Sequence, residues 1–163
     1  MNLRFPILVF DIETLTDLKA GAHLYHLDLP EADVEQALTK IRRQESGIDF
    51  QRLPLHEIVC ISGLWIDEKG VRLFSFSQEQ NTEAEMLTKF LSIFDKKQPT
   101  LISWNGSQFD LPVILFRAMY HGLSASSLFD QGEIDNQKRF NNYQNRYHHR
   151  HVDLMDVMAM FNG

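Results

Sequence analysis

Leu3-Arg4-Phe5-Pro6-Ile7-Leu8-Val9-Phe10-Asp11-Ile12-Glu13-Thr14 is an apolar run, rich in β-branched and aromatic residues, that ends on two carboxylates. It reads as a buried strand over Leu3 to Phe10 that stops near Glu13. On a strand, Asp11 and Glu13 share one face and Ile12 takes the other, toward a core. Two like charges that close repel unless something positive lies between them. A hard divalent cation is the natural neutraliser, and magnesium takes one or two protein carboxylates while keeping waters and substrate phosphate oxygens. The alternative is that both carboxylates simply point to water at a strand end.

The 163 residues suit one domain with a single core, and 44% hydrophobic with 23% charged residues excludes a disordered or collagen-like chain. No apolar run reaches the roughly 18 residues that a membrane span needs. The N-terminus lacks the small-residue cleavage site of a signal peptide, so the expected location is cytoplasmic, with no membrane partner. The single Cys60, within Ile58-Val59-Cys60-Ile61-Ser62, is expected as a small buried hydrophobe.

Residues 15–50 are weakly patterned and broken by Gly21 and Pro30, with one helix expected from Glu31 to about Arg43, and they read as an insertion. Glu57 to Ile66 and Val71 to Phe76 read as a strand pair joined by a turn at Asp67 to Gly70. Thr82 with Glu85 three residues on is a capping-box pattern, and Met86, Leu87, Phe90, Leu91 and Phe94 then recur at helical spacing up to Lys97. Thr100 to Trp104 is a short buried strand, Asn105-Gly106 a turn, and Phe109 to His121 a helix closed by Gly122. Segment 123–147 is expected as a long loop or short irregular helices, and the end of the chain as a strand leading into a helix or as a helix start.

This order predicts a mixed α/β sheet flanked by helices. Sites in such folds gather beyond the carboxyl ends of strands. Asp11 and Glu13 lie at one such end, and Asn105 to Asp110 at another. Asp110, just before Leu111 and Pro112, suits either a helix N-cap or a ligand.

Val9-Phe10-Asp11-Ile12-Glu13-Thr14 and Asn105-Gly106-Ser107-Gln108-Phe109-Asp110-Leu111-Pro112 resemble the first and second motifs of the 3′-to-5′ proofreading exonucleases related to family B DNA polymerases. The resemblance spans nearly the whole chain. It implies an RNase H-like fold and hydrolysis of the terminal phosphodiester of single-stranded DNA with a free 3′ end. It also implies two Mg2+ or Mn2+ ions, which generate the nucleophile and stabilise the entering and leaving oxygens. Carried over by motif, Asp11 bridges both ions, Glu13 binds one and orients the attacking water, and Asp110 holds the other. Asn105, Phe109 and Thr14 fall on the substrate side.

The resemblance also implies a fourth Asp, preceded by Tyr at four residues or by His at five. No tyrosine of the chain has that spacing, while His148 with Asp153 and His151 with Asp156 do. His151-Val152-Asp153-Leu154-Met155-Asp156 equally resembles the strand and helix start before the family's final helices. On that reading the fourth Asp lies past Gly163 and the final helices are missing. One sheet face would then be uncovered near Val157, Met158, Met160 and Phe161, which makes a homodimer an expectation.

Net charge is −6, yet residues 136–152 carry Lys138, Arg139, Arg146 and Arg150 with no acid, interleaved with Phe140, Tyr143 and Tyr147. Such a strip suits single-stranded nucleic acid, with Arg146 and Tyr147 as contacts, or else balances an acidic body. The histidines His148, His149 and His151 lack the spacing of a zinc site. The alternatives are a catalytically silent nucleic-acid-binding module of the same fold and an RNA-trimming exonuclease.

Overall fold

The computed structural model describes residues 4–162. Its sheet has five strands in the order β3-β2-β1-β4-β5, built from β1 (Ile7–Thr16), β2 (His56–Asp67), β3 (Gly70–Ser77), β4 (Thr100–Ser103) and β5 (His151–Asp153). Strands β1, β2 and β3 are antiparallel neighbours, whereas β4 runs parallel to β1 and β5 parallel to β4. The expected mixed α/β sheet is present. Among the described residues no helix is long and apolar enough to cross a membrane.

The strand period places Leu8, Phe10 and Ile12 of β1 on one face, where they are buried. They pack against Met86, Leu87, Phe90, Leu91 and Phe94 of one helix and Leu111, Val113, Ile114 and Ala118 of another. The Phe10 and Phe90 rings lie 5.1 Å apart. The first of these helices, Glu83–Lys97, starts with the expected capping box between Thr82 and Glu85. The second, Asp110–Tyr120, is followed by Gly122 at φ +65°.

The opposite face is open. Val9, Asp11, Glu13 and Leu15 of β1 emerge there beside Leu64 of β2, Leu73 of β3 and Trp104. Val157, Met158, Met160 and Phe161 are also exposed.

The structure differs from expectation in three places. Residues 15–50 form two packed helices, α1 (Leu18–Leu24) and α2 (Glu31–Ser46), where only the second was expected. A seven-residue helix carries too little periodicity to announce itself. Its Gly21 lies so near Leu38 that a Cβ would sit 2.5 Å from Leu38 Cδ1, which lets the two helices close on each other. In chain order the later helices are α3 (Glu83–Lys97), α4 (Asp110–Tyr120), α5 (Ser126–Phe129) and α6 (Leu154–Met158).

Second, Cys60 is half-buried and its Sγ lies 3.4 Å from Ser62 Oγ and 3.3 Å from Ser75 Oγ, so it sits among hydroxyls. Third, the basic strip is partly internal. Lys138 is only 2% exposed, donating to Ser127 O at 2.6 Å beside Asp130 Oδ2 at 3.7 Å, and the Tyr143 hydroxyl is buried against Pro99 O at 2.7 Å. Segment 123–147 is loop with short helical turns at Ser126–Phe129 and Asn136–Arg139, as expected, and side chains hold it. Burial opposes ionisation of Asp130, but the amides of Ile134, Asp135, Gly132 and Glu133 outweigh it and hold the carboxyl well below the usual range.

Candidate active site

Because β1 and β4 are parallel, with Val9 level with Ile102, Asp11 and the turn after β4 leave the sheet side by side. That turn is tight. Asn105 adopts φ +58°, and a Cβ on Gly106 would sit 2.2 Å from Ser103 Oγ. Ser103 has no free direction to yield, since its hydroxyl meets buried His151 Nε2 at 2.7 Å. His151 Nδ1 lies 3.1 Å from the Tyr143 carbonyl, which only accepts, so Nδ1 carries the proton and Nε2 accepts from Ser103. Gly106→Ala therefore costs about 1–3 kcal/mol by overpacking, read as a lowered urea midpoint.

Asp153, at the end of β5, clasps the same turn. Its Oδ1 accepts from the Asn105 amide at 2.8 Å and the Met155 amide at 3.1 Å, and its Oδ2 from the Ser107 amide at 3.0 Å. Burial works against the charge on Asp153, but these amides outweigh it and lower its pKa. Asp156 is held by Arg146 Nη2 at 2.7 Å. Both sequence candidates for a fourth carboxylate thus have structural partners.

Asp110 is not the helix cap. Phe109 occupies that position without a side-chain bond, and Asp110 Oδ1 reaches across to accept the Ile12 amide of β1 at 3.2 Å. Only 2% exposed, Asp110 has its pKa raised to about 7, first by burial, then by the negative charge of Asp11, with Asp153 adding to it. Asp11 and Glu13 are exposed and, among the described residues, have no hydrogen-bond or salt-bridge partner. Among the described residues no group of three or more His, Cys, Asp or Glu side chains is already gathered at ion-binding distance. Asp110 faces the Ile12 amide, while Asp11 and Glu13 face the open side of the sheet.

The raised pKa has a signed consequence. Between an unfolded value of 3.8 and a folded value of about 7, the native state holds a proton that the unfolded state has lost. This group's contribution to stability therefore falls as pH rises through that window and levels off above it. Asp110→Asn keeps an acceptor for Ile12 and removes the slope, so in chelator the variant gains on the natural protein between about pH 5 and about pH 8, as urea midpoints measure. His56 and His151, both lowered by burial, slope the other way in both proteins and cancel in the difference.

Thr14 and Phe109 meet beside residues that no sequence motif flags. Thr14 Oγ1 is 3.0 Å from His56 Nδ1, and His56 packs edge-on to Phe109 at 5.2 Å and against Phe50 at 4.8 Å. His56 Nε2 lies 3.3 Å from the Gln51 carbonyl, so the neutral ring donates there and takes the Thr14 hydroxyl proton on Nδ1. Phe50, 53% exposed, closes the shelf. Arg146 and Tyr147 are grouped elsewhere, with the Arg146 guanidinium over the Tyr147 and Phe161 rings at α6.

Residues 48–163 match the profile of a family described as "predicted 3′-5′ exonuclease related to the exonuclease domain of PolB". The chain belongs to that family. The match leaves Asp11 and Glu13 outside it and includes Asp110. Among relatives of this chain, DNA polymerase 1 of Saccharolobus solfataricus is 36% identical over 69 residues, covering 42% of the chain and 8% of the polymerase. The fold is similar to the family B DNA polymerase of the archaeon Pyrobaculum calidifontis, at a TM-score of 0.54 and 16% identity over 99% of this chain and 16% of that one. It is also similar to E. coli exonuclease I in complex with a dT13 oligonucleotide, at a TM-score of 0.54 and 12% identity over 96% of this chain and 29% of that one. The chain therefore spans well under a third of the length of each of these proteins.

Proposed function

We propose that this PolB-related domain is a divalent-metal-dependent 3′-to-5′ exonuclease that removes terminal nucleotides from single-stranded DNA. The observation that carries the reading is the pairing of Asp11 and Glu13, which have no partner among the described residues, with Asp110, whose ionisation burial and the Asp11 charge oppose. All are hard oxygen donors, which suits Mg2+ or Mn2+. Asp11, Glu13 and Asp110 would hold the ions. Bound there, a pair of such ions supplies an activated water and charge stabilisation on the phosphodiester being cut.

The chain's own residues supply the rest. The Asp153 clasp fixes the turn from Asn105 to Ser107, which sets where Asp110 begins its helix. The Phe50, His56 and Phe109 shelf offers aromatic surface for the terminal base, and Thr14 keeps lone pairs for a sugar hydroxyl donor. Asn105 presents a half-buried side chain at the same turn. The open apolar face around Leu64, Leu73 and Trp104 is where a second copy would associate, and a monomer mass by light scattering would remove that part of the reading.

A 5′-labelled single-stranded oligonucleotide tests the function. With Mg2+ or Mn2+ it should shorten stepwise from its 3′ end, and chelator or a blocked 3′ terminus should stop the reaction. Metal-independent binding without digestion would instead favour the silent module, a reading that the inward-turned Asp110 carboxylate supports. Faster digestion of the ribo than of the deoxy strand would make the substrate RNA.

A further inference from the structure

At the other end of the sheet, where β1 and β4 begin, lies a cavity of about 400 Å3 lined by Arg4, Gln98, Thr100, Asn141, His149 and Arg150. No acid lines it. In a protein of net charge −6, five arginines hold a carboxylate, whereas among the described residues Arg4 and Arg150, like Arg42 and Arg139, are in no salt bridge, and these two share one cavity.

The cavity is held in place by backbone. The Thr100 hydroxyl donates to Arg4 O at 2.7 Å, and the Leu101 amide to Arg150 O at 2.7 Å, so the start of β4 anchors both arginines. Asn141 Oδ1 accepts from the amides of His149 and Arg150, both at 3.0 Å. Arg150 is steadied further by Nε to Asn141 O and Nη1 to Gln98 Oε1, each 3.1 Å, which leaves Nη2 without a partner among the described residues. The Arg4 guanidinium likewise has no hydrogen bond among them. The free guanidinium of Arg4 and the remaining Nη2 of Arg150, on one concave, acid-free surface, suit the oxygens of a phosphate.

We propose that this cavity binds a backbone phosphate of single-stranded nucleic acid, as a second anchor remote from the carboxylates. The phosphate chemistry stands on the cavity alone, while the choice of nucleic acid over free phosphate rests on the exonuclease reading. The run of β1 from Ile7 to Asp11 alone puts about 13 Å between the two places at roughly 3.3 Å per residue, so only a strand of several nucleotides touches both.

The test is fluorescence anisotropy in chelator, where no cleavage occurs, with labelled oligothymidylate of about twelve nucleotides, within the range of single-strand site sizes. Arg4→Gln with Arg150→Gln should weaken binding about tenfold, as expected for the loss of a charge-assisted bond. The salt dependence should become shallower by about 0.7 for each phosphate that is no longer neutralised. Arg4→Gln alone should move both readings the same way, which covers a double variant that folds poorly. Lys40→Gln, an exposed control on α2, should leave affinity unchanged, as should the double variant for a dinucleotide. Affinity unchanged in the double variant and in Arg4→Gln, or equally reduced by Lys40→Gln, overturns the proposal. So does competition at the cavity by inorganic phosphate that leaves oligonucleotide affinity intact. Failure of digestion with the arginine dependence retained would count against the exonuclease reading and not against this site.

Discussion

Arg117→Leu should lower the free energy of unfolding by about 3–5 kcal/mol, the usual cost of stranding partners of a buried ion pair. Arg117 is 2% exposed, and each of its three guanidinium nitrogens donates to a carboxylate: Nη1 to Asp17 Oδ2 at 2.7 Å, Nε to Glu83 Oε1 at 2.8 Å and Nη2 to Glu83 Oε2 at 2.6 Å. Its flat face lies 4.4 Å from the Tyr120 ring centre. Glu83 also accepts the Ile58 amide at 2.7 Å and faces His121 Nε2 at 2.6 Å, while Asp17 caps α1 through the Ala20 amide at 2.8 Å. One side chain thus ties together the end of β1, β2, α1, α3 and α4. Removing it leaves two buried carboxylates, and at about 2–4 °C per kcal/mol for a chain of this size the Tm falls by roughly 6–20 °C. Arg117→Lys keeps the charge but not the fork and should recover only part of the stability. A urea-derived change below about 1 kcal/mol would mean that solvent reaches these carboxylates after all.

Asp11→Ala should lower metal-dependent digestion by more than about a hundredfold, since even residues behind the ligands of metal sites cost 10–100-fold. The fold should survive, because Asp11 is exposed and has no partner among the described residues to lose. The same change removes the charge that helps raise Asp110, so the Asp110 pKa should fall toward the ordinary range, as a carboxyl-carbon NMR titration in chelator measures. Activity surviving in Asp11→Ala would remove this residue from the reaction, whatever the pKa does.

How much of this was legible in the sequence follows from the range of the interactions. The helix α3 was readable because its cap and its apolar stripe are local. The strand β1 was readable because burial on one face imposes alternation, although it begins at Ile7 and runs to Thr16. Asp11, Glu13 and Asp110 were legible as candidates because acids at strand ends stand out against apolar runs, and the structure brings Asp110 against Ile12, next to both.

Other features depend on partners far away in the chain. Nothing near Asp153 says that it binds the amides of Asn105 and Ser107, and nothing near Phe50 says that it closes over His56 and Phe109. Lys138 looked like part of a nucleic-acid strip because charge along the sequence does not reveal a counter-charge in space, here Asp130. Arg150, from the same strip, turned out to face a cavity together with Arg4 at the opposite end of the chain.

If Asp11, Glu13 and Asp110 share divalent cations, crystals soaked in Mn2+ will show it by anomalous scattering. Manganese peaks are expected, flanked by oxygens of these three carboxylates at about 2.0–2.2 Å, with Asp110 turned away from the Ile12 amide. Manganese bound only elsewhere, with Asp110 still holding that amide, would contradict it.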